Sequence, residues 1–513
     1  MKISSTEKYI SLALHSLEHI LAPELISHEA KATAEIMKQV LHELLKREHY
    51  TPRLLDEHLA EGRVLADRMA ALKQELGGAA TATESATEYR GGLSHETGFQ
   101  FLAEEHGRLT ERIAHLAAEL SALRSGTADT TQQQYISTLL HKAAAWDYAY
   151  CSAQREANIP TEAPPPAAAG APLHKDTLQA FLRTQHPDGE RCSVTELKPI
   201  PGGFGKQTYR ATISDAAGKT QSVIVRKSDP TPMVLHGCFF IDQEFHLLRD
   251  VFDNSDLPIA QPLYLGKGVS GVDADFYVMS ALPGSVPSSF LGAASAVIPE
   301  SVLLQMAELM AKLHSLKLDA LPTFLARFGH PDLRTDTVES CYRRNIAEWK
   351  TYYEKGNHLP SPFVSYLLDW LEQHVPHHAN PPVLVHGDFN IHNVLAEKGR
   401  ITGILDWECA MIGAPEQDLA YVKPIISQHI VWDRFLSHYR ASGGPAIDEA
   451  SMNFYMAFAA MRLCVIFNKG VRNLQYGVTR DIRYAVVDLG LTPEFMKQAL
   501  ACTSSDGGVP LLQ

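Results

Sequence analysis

The sequence is short of paired cysteine, of positive charge and of uninterrupted apolar runs, and each shortage excludes a class of protein. Its seven cysteines, at 151, 192, 238, 341, 409, 464 and 502, are odd in number and form no C-x-x-C pair, which points to a reducing, cytoplasmic compartment. Lys and Arg total 46 against 59 Asp and Glu, a net −13. That balance argues against a nucleic-acid binder or a basic membrane-surface protein, so any bound anion must be held by local groups. The apolar stretch near the N-terminus is broken by His15, Glu18 and His19 and fails as a signal-peptide core. Residues 276–299 carry no charge over a length that could cross a bilayer, but Pro283, Pro287 and five serines interrupt them. A strand followed by a small-residue loop fits that window better than a membrane helix. No fixed repeat period appears, which argues against a solenoid.

What is present is ordinary for a soluble globular chain: 45% hydrophobic and 20% charged residues over 513 positions, enough for two or three domains. The clearest boundary is Ile159 to Pro172, IPTEAPPPAAAGAP, with five prolines and five alanines. It reads as a semi-rigid linker able to hold its flanks up to roughly 40 Å apart, so two independent bodies are expected. Residues 1–158 show helical spacing throughout, as in Ile10, Leu14, Leu17 and Leu21, with breaks at Gly77-Gly78 and Gly91-Gly92. This predicts an all-α bundle of four to six helices. Beyond the linker, Val194–Ile200, Gln207–Ser214, Gln221–Lys227 and Phe276–Ser280 read as strands, with a helix near Phe239–Phe252 after the third. Residues 173–283 thus form a β-rich lobe, residues 284–513 a mostly helical one, and a cleft is expected between them.

The chemistry concentrates in Val383 to Leu395, VLVHGDFNIHNVL, and Ile401 to Glu408, ITGILDWE. An apolar strand delivers His386-Gly387-Asp388, Asn393 follows five residues after Asp388, and a second strand ends at Asp406. Phosphoryl transfer needs this set: a carboxylate to orient a hydroxyl and accept its proton, and oxygen ligands to hold Mg²⁺ against phosphates. Upstream, IPGGFGKQTY joins two strands by a turn in which Gly202, Gly203 and Gly205 let backbone N–H groups approach a phosphate, with Lys206 an extra contact. On the next strand Arg226 and Lys227 are alternatives, because successive side chains point to opposite faces.

These motifs resemble the aminoglycoside phosphotransferase-like family, small-molecule relatives of protein kinases whose catalytic loop has His-x-Asp-x-x-x-x-Asn spacing. The resemblance spans about residues 173–490. It implies an α+β, bilobal protein-kinase-like fold preceded by the helical bundle, and a phosphotransferase using ATP or GTP with Mg²⁺. Asp388 is then the catalytic residue, Asn393 and Asp406 the metal ligands, and His386 a brace for the catalytic loop. In the branch found alone and fused to acyl-CoA dehydrogenases an Arg often stands at the strand cation, which favours Arg226 over Lys227. Arginine is always charged and binds phosphate as a fork. Glu244 becomes its partner carboxylate. The stretch 276–284 resembles the family's hinge, which assigns backbone contacts with the base to Met279 and Ala281. Asp418 matches an aspartate that ties the helical lobe to the catalytic loop, a role compatible with a helix N-cap.

Other signals carry less. His15-x-x-Glu18-His19 spells a zinc-peptidase pattern, yet with 24 histidines chance pairs are expected. Trp146, Tyr148 and Tyr150 read as packing. Tyr342, Arg343, Arg344, Trp349, Tyr352 and Tyr353 read either as a surface for an acidic or CoA-like substrate or as an amphipathic helix with snorkelling arginines. The acceptor expected is the hydroxyl of a small molecule, a hydroxy acid or hydroxyacyl thioester. The alternatives are an aminoglycoside, or a non-catalytic nucleotide-binding regulator. Neither nucleic acid nor membrane is an expected partner, and the bundle is assigned to homodimerisation or docking.

Overall fold

The computed structural model describes residues 6–25, 28–77, 95–156, 173–187, 189–200, 206–229, 234, 237–287, 298–328, 336–476, 478, 487 and 491–503. The Pro/Ala stretch 159–172 and Gly202, Gly203 and Gly205 lie outside them.

The first body is helical: α1 (Thr6–Ser16), α2 (His28–Glu75), α3 (His95–Gly126) and α4 (Thr130–Glu156). Apolar residues three and four apart place one stripe of each long helix in a shared core. Met69 and Leu72 of α2 meet Ile113, Leu116 and Leu120 of α3 and Ile136, Leu140 and Ala143 of α4, all buried. Trp146 packs here as expected: its ring stacks on His58 at 4.3 Å, and its Nε1–H donates to the His58 carbonyl at 2.9 Å.

Beside it His106 lies 5.3 Å from His58, ring to ring, and both Nε2 atoms are buried without a hydrogen-bond partner. Burial, then the neighbouring His106, pushes His58 down to about 3, and burial pushes His106 down to about 4. Both values lie below the 6.5 of an unfolded chain, so protonation favours unfolding. The stability these rings contribute is whole above pH 6.5 and is lost as pH falls toward 4. His58 alone should cost the bundle roughly 2 kcal/mol at pH 5 relative to pH 7. Helix melting followed by circular dichroism at the two pH values should show the lower midpoint at pH 5, and His58→Leu should remove much of the difference. Coincident melts for the unsubstituted protein would exclude this account.

After the linker, α5 (Lys175–Gln185) precedes β1 (Ser193–Ile200), β2 (Lys206–Ser214), β3 (Thr220–Ser228), α6 (Ile241–Asn254), β4 (Pro262–Gly266) and β5 (Phe276–Ser280). The strands form an antiparallel sheet in the order β1-β2-β3-β5-β4. Alternation divides its faces. Tyr209, Ala211, Val223, Val225, Phe276 and Val278 pack under Leu178, Phe181 and Leu182 of α5, while the opposite face carries Lys206 and Arg226 toward α6.

The second lobe contains α7 (Glu300–His314), α8 (Pro322–Phe328), α9 (Val338–Lys355), α10 (Pro362–Gln373), β6 (Val383–Val385), β7 (Val394–Glu397), β8 (Arg400–Ile404), β9 (Met411–Gly413), α11 (Glu416–Ile426), α12 (Trp432–Ala441), α13 (Met452–Gln475) and α14 (Thr492–Thr503). Two short antiparallel pairs, β6 with β9 and β7 with β8, sit among these helices. The segment Glu449–Asn473, which includes most of α13, is long and apolar enough to cross a bilayer, but 78% of its most apolar window is buried inside the protein. The uncharged window noted above begins with strand β5, and its residues 288–297 lie outside the described set. The architecture is a two-lobed, protein-kinase-like α+β fold preceded by helices.

The two bodies expected to be independent are instead packed together. Bundle residues and the helical lobe share one continuous buried core. Arg124 of α3 donates through Nη2 to both carboxylate oxygens of Asp369 on α10, at 2.7 and 2.6 Å. Asp147 of α4 accepts from Ser361 Oγ at 2.7 Å and from the Phe363 N–H at 3.1 Å, closing the N-terminus of α10. A linker with little to pack says nothing about the apolar faces on either side of it, and those faces decide the docking.

Candidate active site

Strand β6 is fully buried and launches the loop that carries Asp388. Gly387 adopts φ +76, and a Cβ there would clash with the Cys409 carbonyl oxygen, so glycine is required at the turn. Asp418 accepts from the N–H groups of His386 and Gly387 at 2.8 and 2.7 Å. It also bonds His314 Nε2 at 3.1 Å, whose Nδ1 meets the Tyr439 hydroxyl at 3.0 Å. Burial opposes ionisation of Asp418, but His314 and the loop amides hold its carboxyl below the usual range. Asp418 is the third residue of α11, behind an N-cap at Pro415, so it ties loop to lobe rather than capping the helix.

His386 is fully buried. Its Nδ1 accepts from the Asp388 N–H at 3.3 Å and its Nε2 meets the Leu405 carbonyl at 2.9 Å. This pattern suits the neutral ring protonated at Nε2, and burial lowers its pKa accordingly. The ring therefore bridges the Asp388 loop to the end of β8. Asn393 completes the loop: its Nδ2 donates to the Asp388 carbonyl at 2.9 Å and to Asp388 Oδ2 at 2.8 Å. Asp388 Oδ1 is buried and accepts no hydrogen bond; His392 Nε2 lies 3.8 Å from it, and the Tyr421 side chain also interacts with Asp388. The Leu405 N–H donates to the Asn393 carbonyl at 2.8 Å, which brings Asp406 alongside Asn393. Asp406 itself has φ +63 and ψ +66, left-handed for a non-glycine residue, a conformation costing about 1–3 kcal/mol that clusters at functional sites.

Facing this loop, the sheet contributes two cations. Arg226 Nη2 lies 2.9 Å from Asp406 Oδ1, 3.6 Å from Glu244 Oε1 and 3.7 Å from Glu408 Oε2. Lys206 Nζ lies 2.9 Å from Glu244 Oε2 and 3.1 Å from Glu408 Oε2. Lys227 points to the other face, fully buried, 2.6 Å from Asp273 and 3.2 Å from Gln207 Oε1. Of the two strand candidates it is Arg226 that faces the cleft. Glu244 does pair with Arg226, but its shorter bond is to Lys206. Burial works against the charge on Asp406, yet Arg226 and Lys206 keep its carboxyl below the ordinary value. Glu408 is pushed up, by burial and by neighbouring Asp406.

The hinge differs in one respect. Met279 lies within β5 opposite Ile224, and the Ala281 N–H donates to the Ser222 carbonyl at 3.3 Å. That amide belongs to the sheet and offers no donor to a base. The α9 group is split between faces: Tyr342 and Trp349 are core, and Tyr342 OH donates to Gln417 Oε1. Arg343 pairs with Glu339 and Arg344 with Asp336, so these residues do not make one substrate surface. Sequence reasoning missed Glu408, Tyr421 and Arg462. For Glu408 a signal existed in the Asp-Trp-Glu run. Tyr421, whose hydroxyl pKa burial and Asp388 push well above the usual, lies one turn after Asp418 on α11, and Arg462 comes from a distant helix with no motif around it.

The donor set suits Mg²⁺ bound with phosphates. Asn393 spends its amide N–H on Asp388, and its side-chain oxygen and the Asp406 carboxylate are both hard oxygen ligands. No group of three His, Cys, Asp or Glu able to hold a metal occurs among the described residues, so most of the remaining ligands would have to come from substrate and water.

The model of the phosphotransferase enzyme family (APH) matches residues 196–455. The chain belongs to this family. It is similar to acyl-CoA dehydrogenase family member 11 of Rattus norvegicus, 28% identical over 55% of this chain and 36% of the relative. It is also similar to the probable acyl-CoA dehydrogenase IBR3 of Arabidopsis thaliana, 24% identical over 54% of this chain and 36% of the relative. The chain thus spans about a third of these relatives' length. Among solved structures, aminoglycoside phosphotransferase APH(4)-Ia aligns with TM-score 0.43 and 17% identity, over 65% of this chain and 99% of the other. Spectinomycin phosphotransferase APH(9)-Ia, in complex with ADP and spectinomycin, aligns with TM-score 0.42 and 14% identity, over 65% and 99%.

Proposed function

We propose that the protein transfers the γ-phosphoryl group of ATP, or GTP, to the hydroxyl of a small molecule, with a hydroxy acid or hydroxyacyl thioester as the favoured acceptor. The observation that carries this is the state of Asp388: Oδ2 is pinned by Asn393, while Oδ1 is buried and accepts no hydrogen bond, with His392 Nε2 3.8 Å away. An unsatisfied buried acceptor is costly unless a ligand supplies the donor, and an alcohol O–H is such a donor. Asp388 Oδ1 then orients the acceptor hydroxyl and takes its proton as the new O–P bond forms. Arg226 and Lys206 supply positive charge for the phosphates, and their release from Asp406 and Glu408 accompanies nucleotide binding. Mg²⁺, when bound through Asn393 and Asp406, neutralises phosphate charge. Most of the rate comes from positioning and fixed charge.

The acceptor class is supported by the relatives, which carry acyl-CoA dehydrogenase names over a length mostly outside the match. A screen of alcohols by coupled ATP consumption tests the reading, with hydroxyacyl-CoA, free hydroxy acids and aminoglycosides as arms. Turnover with the first two supports it; turnover confined to aminoglycosides overturns the acceptor class. Magnesium-dependent nucleotide binding without turnover on any alcohol would instead make the chain a binding regulator.

The two strand cations should separate in the same assay. Arg226→Met should weaken nucleotide binding by about tenfold or more, as expected for loss of a partly desolvated charged contact. Lys227→Met should leave binding nearly unchanged and lower the melting temperature, because it removes the ion pair of a fully buried lysine with Asp273. Calorimetric titration with ATP and a thermal melt of each variant check both; equal loss of affinity in the two would contradict the assignment of faces.

A further inference from the structure

We infer that Arg462 of α13 is a positioning residue for phosphoryl transfer, setting Asp388 in register with the Asp406 segment; this rests on the phosphotransfer reading above. Arg462 is 5% exposed, and its guanidinium spans two backbone carbonyls. Nη2 donates to the Gly387 carbonyl at 3.1 Å, and Nη1 to the Cys409 carbonyl at 3.4 Å, with Met411 Sδ at 3.7 Å. Gly387 immediately precedes Asp388, and Cys409 lies three residues beyond Asp406. One rigid fork therefore joins the two loops whose side chains must meet.

Gly387 is gripped on both sides, its N–H by Asp418 and its carbonyl by Arg462, in a left-handed turn packed on the Cys409 carbonyl that Arg462 also holds. Among the described residues no carboxylate lies within 4.0 Å of Arg462, and its Nε is buried without a partner. Burying a guanidinium with neither counter-ion nor complete hydrogen bonding is expensive for stability alone. A neutral side chain filling the same space would serve packing better. What Arg provides and Met cannot is a planar pair of donors at fixed separation, and a displacement of about 1 Å between reacting groups costs on the order of 100-fold in rate.

The test uses the full chain with the best acceptor of the screen, or with water as acceptor if hydrolysis is faster. Arg462→Met should bind ATP within about threefold of the unsubstituted protein and lose about 100-fold in kcat. Arg462→Lys, which keeps charge without the fork, should recover only part of the loss. In Arg462→Ala, added guanidinium should restore about tenfold and added ammonium should not, because only the former fills the gap with both donors. A kcat for Arg462→Met within threefold of the unsubstituted protein overturns the inference, and so does a loss confined to melting temperature and ATP affinity. Asp388→Asn run alongside separates the two readings. If it is inactive while Arg462→Met is not, positioning by Arg462 fails alone; if Asp388→Asn turns over normally, phosphotransfer at this site fails with it.

Discussion

Asp388→Asn should yield a folded protein that binds nucleotide and has lost about 10³-fold in turnover. The substitution is nearly isosteric, and Asn393 can keep its bond to the remaining side-chain oxygen. The exchanged atom is then Oδ1, which accepts no hydrogen bond in the fold, where a carboxylate oxygen that accepts becomes an amide that only donates. An acceptor alcohol would meet two hydrogens and no base. Coupled ATP consumption gives the loss, and calorimetric titration with ATP, which should be little changed, shows that the cleft survives. Undiminished phosphorylation by this variant refutes the site.

Asp418→Ala should strongly destabilise the helical lobe. It leaves the His386 and Gly387 N–H groups and His314 Nε2 without their buried partner, at about 3–5 kcal/mol. The carboxyl of Asp418 is held below its usual range in the fold, so the stability it contributes is complete above about pH 3.8 and is lost only as pH falls below that. At pH 7 the full deficit should appear as a lower urea midpoint, together with loss of turnover well below the melting temperature, because the Gly387 turn loses one of its two restraints. Asp418→Asn, which keeps one accepting oxygen, should fall between. A change of less than about 1 kcal/mol in Asp418→Ala would mean that the loop is held by other contacts.

Four strands of the sheet and α6 were legible within one or two residues, since β-branched runs between turn residues and an apolar stripe are local signals. Helix α5 and strand β4 were not: eleven residues just after a linker, and a five-residue strand that opens on a proline, hold too few periods to read. The core of the candidate site was legible for the same reason. Asp388 and Asn393 are five residues apart, and their side chains bond within one loop. The pairing of Lys206 with Glu244 was not, because a lysine beside a glycine-rich turn suits a phosphate as well as a buried carboxylate.

The sequence by itself determined the residues of the Asp388 loop, the order of the elements around it and the fact that Arg226 and Lys227 take opposed faces. These follow from hydrogen bonding over a few residues and from the two-residue alternation of a strand. The family resemblance favoured Arg226, and the tertiary structure turned its face to the cleft, with Arg226 reaching Asp406 across 180 residues. Tertiary structure also docked the bundle on α10 through Arg124 and Asp147, and set Arg462 behind the Asp388 loop. Those outcomes depend on which apolar surfaces bury one another, and only the packed chain brings such distant residues within bonding distance.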